Sequence, residues 1–165
     1  MKILSVPQPY ASYAVTGAIS LLVVPLHLFD ECELVIVSDA RRTLPVAAHS
    51  PGLYAPNIVP ELAELKNHAL GVVDMHATTE PDESATGIPY MRGRCFLRIS
   101  RPRIYAEPFA YKSNFAMQTR PVSLPDLWRD QELITLRQWR RRHPTKTNDL
   151  RSGPTAPSRD GWTGD

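Results

Sequence analysis

Arginine set among aromatic residues is the chemistry this sequence offers most plainly. Arg92, Arg94, Arg98, Arg101 and Arg103 alternate along an expected strand and its flanks, and Arg137 to Lys146 forms a second cluster around Trp139. A guanidinium meets phosphate oxygens in a planar fork and an aromatic ring stacks on a base, so the two together equip a surface for nucleic acid. The first set reads equally as the solvated face of a strand, and the second as a helix end satisfying its dipole. Near the N-terminus, Gln8 stands between two prolines at the entrance of an expected helix. Tyr10 and Tyr13 on that helix serve either as core packing or as a stacking platform for a base. Asp39 forms a local ion pair with Arg41 or Arg42 in one reading; in the other, both arginines meet phosphates. Tyr111 and Lys112 line a cleft or merely finish a β-turn.

Other chemistries find little support. His27, His49, His68 and His76 are scattered, without the i, i+4 pair that puts two ligands on one helical face. Cys32 and Cys95 have no metal-type spacing and indicate no disulfide framework, so no metal is expected and a reducing cytoplasm is the default location. None of the 8 glycines builds a phosphate cradle of the G-x-G-x-x-G or G-K-S/T kind, and there is no G-x-S-x-G nucleophile turn. No cofactor is expected.

The elements that must position these residues follow from spacing. Ile3, Leu4 and Val6 predict a short strand, Pro7 and Pro9 bracket a rigid loop, and Pro9 suits the first turn of a helix. Tyr10, Tyr13, Ala14 and Gly17 fall three, four and seven residues apart on one helical face, with Gly17 as the stop. The apolar run from Ala14 to Phe29 reads as a buried strand, being too short and too interrupted by Gly17, Pro25 and His27 to span a membrane. Pro60 to His68 predicts a short amphipathic helix, residues 78–91 a loop, and Pro125 to about Arg142 a final helix. A chain of 165 residues with 42% hydrophobic content suits a single core, and 16 prolines favour short strands over long helices. A small β-rich barrel with helices at its margins is the expected shape. Net charge is +2 but uneven: residues 1–80 carry 4 Lys or Arg against 8 Asp or Glu, and residues 81–165 carry 15 against 9.

Leu4-Ser5-Val6-Pro7-Gln8-Pro9-Tyr10-Ala11, followed by Gly17, resembles the opening of ASCH domains, the RNA-associated branch of the PUA-like β-barrels. Leu34 to Ser38 followed by Asp39-Ala40-Arg41-Arg42 is similar to that family's second landmark, an apolar strand ending in a small-residue and basic stretch. Leu70 to Met75 is similar to its G-x-V strand, and Cys95 to Ile99 with Glu107 to Lys112 to its last long strand and the turn after it. The resemblance implies an α+β fold with a small PUA-like β-barrel and flanking helices over residues 1–127; charge and composition add a C-terminal basic helix over 128–143 and a disordered tail over 144–165. Family members that hydrolyse acetylated cytidine carry Lys two residues after the glycine and Thr five after it, and many others carry Glu there and Arg seven after it. Here those positions are Ile19, Leu22 and Val24, which supply no nucleophile or proton carrier.

The resemblance therefore implies non-catalytic binding of RNA or a modified nucleoside in a cleft formed by the Gln8 loop, the following helix and the strand end at Ser38 to Arg42. Gln8 would read a base edge, Arg41, Arg42 and Lys112 would meet phosphates, and Tyr10 or Tyr111 would offer an apolar face. Two alternatives stand beside it. One is an ASCH-type amidohydrolase or ribonuclease with relocated catalytic groups, drawn from Lys112, Asp74 or Glu107. The other is a degenerate barrel that docks a protein partner.

Overall fold

A computed structural model describes residues 2–24, 31–43, 53–76, 95–112, 120–121 and 130–144. The chain is α+β. Strand β1 (Lys2–Gln8) leads into helix α1 (Tyr10–Thr16), then β2 (Leu21–Val24) and β3 (Cys32–Thr43). A 3-10 turn (Ala55–Asn57) and helix α2 (Pro60–Glu64) precede β4 (His68–Met75) and β5 (Cys95–Ala110). Two short strands, β6 (Arg120–Pro121) and β7 (Leu133–Ile134), and helix α3 (Leu136–Arg142) follow.

The strands form one mixed sheet in the order β2-β5-β4-β3-β1-β6, with β7 added alongside β5. β1 and β3 run parallel, joined through α1 and β2, while the other pairs are antiparallel. Among the described residues β2 and β6, at the two ends of the path, do not pair. β3 and β4 lie centrally and are buried on both faces from Leu34 to Ser38 and from Ala69 to Met75. That explains why both read as continuous apolar runs rather than alternating ones. One face carries Leu4, Val6, Leu34, Ile36, Leu70 and Val73 against α1, α2 and Trp139. The other gathers Ile3, Val35, Val37, Ala69, Val72 and Tyr105 into a smaller cluster.

Two glycines fix local geometry. Gly17 ends α1 in the left-handed region at φ 73°, where the following N–H of Ala18 reaches back to the Tyr13 carbonyl at 2.9 Å. Gly71 sits where β5 bulges: a Cβ there would stand 2.1 Å from the Arg103 carbonyl oxygen, so no side chain fits. A second bulge in β5, opposite Val72 to Asp74, passes through Arg101 at φ 44°.

Several sequence expectations need correcting. β1 runs on through Pro7 to Gln8, pairing Pro7 with Asp39, so the rigid loop shrinks to Pro9. The helix expected over Pro60 to His68 stops at Glu64, and Ala69 belongs to β4, because the Leu65 N–H closes on Leu62 rather than continuing the ladder. Glu107 to Ala110 are strand, not turn, with Ala69 and His68 paired to Phe109 and Ala110. Of the helix expected from Pro125 to about Arg142, residues 125–129 lie outside the described residues, and the described part is helical only from Leu136: Leu133 and Ile134 pair with β5, and Thr135 caps the helix in reciprocal hydrogen bonds with Gln138. The loop expected at 78–91 and the tail from 145 onward lie outside the described residues. No described helix is long and apolar enough to cross a membrane.

Candidate nucleic-acid interface

Gln8, the residue expected to read a base, is completely buried. Its Nε2 donates to the carbonyls of Leu62 at 2.8 Å and Leu65 at 2.7 Å, and its Oε1 accepts from the Ser12 N–H at 3.2 Å. Both amide hydrogens are thus engaged in tying the start of α1 to the end of α2. Ser38 is equally buried, its hydroxyl exchanging hydrogen bonds with the His68 backbone at 3.0 and 3.3 Å. Tyr10 is half-buried and meets Tyr13 edge-on with ring centroids 6.2 Å apart. Burial, and after it the neighbouring Tyr10, pushes the Tyr13 phenol above its usual pKa.

Arg41 and Arg42 continue β3 beyond its pairing with Pro7, so the backbone runs beside the Gln8 end of β1. Tyr111 packs against the smaller cluster, and Lys112 is exposed. Leu22 and Ile19 lie in the main core, where the family pattern would hold reactive groups.

Of the strand arginines, Arg98 is exposed, while Arg101 and Arg103 are held by acids. Arg103 Nη2 bridges Glu33 and Asp74 at 2.9 Å each, and Arg101 pairs with the second oxygen of Asp74. Asp74, one of the groups considered for relocated catalysis, is therefore held between two guanidinium groups. Burial pushes the adjacent Tyr105 phenol up to about 12, with Glu33 adding and Arg103 opposing. Arg92 and Arg94 lie outside the described residues.

The arginines of α3 behave differently. Trp139 anchors this helix in the main core, and the bidentate Arg142–Glu132 pair, at 2.7 and 2.8 Å, ties its last turn back to the residue before β7. Those hydrogen bonds hold the Glu132 carboxyl below its ordinary pKa. Arg137, Arg140 and Arg141, spaced i, i+3 and i+4, share another face. They form one wall of an open groove of about 610 Å³, with Thr16, Asn57 and Pro102 on the opposite side. That second wall is fixed by Asn57 Nδ2 donating to the Gly17 carbonyl at 3.2 Å and by the Tyr54 N–H donating to Ala18 at 2.7 Å. Among the described residues no acid lines the groove. Arg140 donates to the Pro56 carbonyl, while Arg137 and Arg141 are exposed and make no ion pair among the described residues.

The groove thus lies at the C-terminal end of α1, whereas the expected cleft lay at its Gln8 end. The basic cluster around Trp139 was visible in the sequence. Its opposite wall was not, because Asn57 and Pro102 reach it only through tertiary folding. Among the described residues no group of three potential metal ligands stands together. A comparison with protein-family models finds no match, and one with curated proteins finds none either.

Proposed function

We propose that this chain is a cytoplasmic RNA-binding protein, a divergent ASCH-type domain whose sheet closes into a small PUA-like barrel and which binds RNA or a nucleotide-like ligand without reacting with it. The observation that carries the reading is the groove beside α3, where three arginines share one face and no acid among the described residues lines it. Cations so placed attract a phosphate backbone and leave sequence unread. The N-terminal resemblance, and the parallel β1–β3 pair that sets Arg41 and Arg42 beside the Gln8 end of β1, add a second candidate stretch for phosphate contact. The burial of Ile19 and Leu22 favours binding over catalysis.

Fluorescence anisotropy with a labelled single-stranded RNA at low salt tests this. The wild type binds, Arg137→Gln with Arg141→Gln loses most of the affinity, and Arg41→Gln with Arg42→Gln loses less. The reverse order of loss would move the phosphate path to the end of β3 and overturn the groove placement. No binding by the wild type would overturn the RNA reading.

A further inference from the structure

Beside the groove lies a second cavity, of about 230 Å³, walled by Ile58, Val59, Pro60, Trp139 and His143, with Glu61 and Arg140 at its polar edges. At ~30 Å³ per water it holds about eight waters, the scale of one heteroaromatic ring system and far too small for a duplex. Its floor is unusual. The His143 imidazole lies flat on the Trp139 indole, with centroids 3.8 Å apart and planes inclined by only 18°. Trp139 is buried and His143 exposed, so the stack presents one free aromatic face outward. The imidazole is also fixed in orientation. The backbone N–H of His143 donates to the Trp139 carbonyl at 2.9 Å, and Nδ1 lies 3.2 Å from the same oxygen.

Resting on the proposed function, we infer that this cavity takes one unstacked nucleobase while the groove holds the phosphates on either side of it, so that the ligand is single-stranded. Arg140 lines both cavities and is the hinge between the two subsites. Charge is sorted accordingly. Among the described residues the groove holds arginines and no acid, which suits phosphate; the cavity holds apolar walls and the Glu61 carboxylate beside the shared Arg140, and that carboxylate accepts hydrogen bonds from a base amino group. An aromatic ring already fixed by its neighbours loses little rotamer freedom when a base stacks on it, which is what a stacking platform requires.

The test compares three probes of equal length: a single-stranded cytidine oligomer, the same RNA paired into a duplex, and an abasic sugar-phosphate oligomer. The wild type binds the single strand about tenfold more tightly than the abasic oligomer, the usual scale of one base stacked on one ring. His143→Ala removes that advantage and leaves abasic binding unchanged; His143→Phe keeps it; the duplex does not show it. Equal binding of single strand and abasic oligomer, unaffected by His143→Ala, would overturn the base subsite while leaving the groove intact. Absence of abasic binding would instead refute the phosphate reading on which it rests.

Discussion

Gln8→Glu keeps the size and shape of the side chain yet removes the hydrogens that join α1 to α2. In the native chain those hydrogens reach the carbonyls of Leu62 and Leu65 at 2.8 and 2.7 Å in a site with no solvent exposure. A carboxylate there faces two carbonyl oxygens and donates to neither, so the Leu65 carbonyl loses its Gln8 hydrogen bond and the Leu62 carbonyl keeps only the Leu65 N–H, each lost bond costing about 1–3 kcal/mol. Protonating the new carboxyl restores one donor, so its pKa rises above the usual carboxylate range. The expected loss at neutral pH is about 4 kcal/mol, a large part of the roughly 5–15 kcal/mol that holds a domain together. It lowers the melting temperature by roughly 10 °C. Urea unfolding followed by circular dichroism measures it, as a lower midpoint with an unchanged slope. The folded variant should bind RNA within a factor of two of the wild type. A variant as stable as the wild type would refute the account of Gln8 as an internal clasp, and a stable variant that no longer binds RNA would make Gln8 a ligand contact.

Gly71→Ala puts a methyl group 2.1 Å from the Arg103 carbonyl oxygen and forces β4 and β5 apart, at a cost of about 3 kcal/mol or more in denaturant unfolding. Tyr105 governs the alkaline limit. Its folded pKa of about 12 exceeds the unfolded value near 10, so its contribution is intact below pH 10 and is lost as pH rises towards 12, by at most ~3 kcal/mol. Tyr105→Phe should therefore show a smaller drop in stability than the wild type over that window. Thr135→Ala removes the cap of α3 and should cost about 1 kcal/mol in the same unfolding assay.

What the sequence disclosed and what it hid divide along physical lines. β1, α1 with its Gly17 stop, and the apolar strands β3 and β4 were legible because their signals are local: apolar runs, helical spacing and a residue free to adopt positive φ. Gln8 was also conspicuous, but a polar residue at a helix entrance looks the same whether it faces solvent or clasps carbonyls more than fifty residues away. The strand arginines looked available because Glu33, Asp74 and Arg103 meet only through β3–β4–β5 pairing. The extra length given to the last helix came from placing Asp126 and Asp130 near its start and the arginines at its end, as a helix dipole favours. The pairing of Leu133 and Ile134 with β5, not their own propensity, makes them strand.

The central claim is that the α3 face meets phosphates, and the slope of log affinity against log salt concentration tests it most directly. Each phosphate neutralised on a single strand contributes about −0.7 to that slope. Three contacts, at Arg137, Arg140 and Arg141, predict a slope of about −2 for the wild type and roughly −0.7 for Arg137→Gln with Arg141→Gln. A wild-type slope near zero, or one that the double substitution leaves unchanged, would contradict the account.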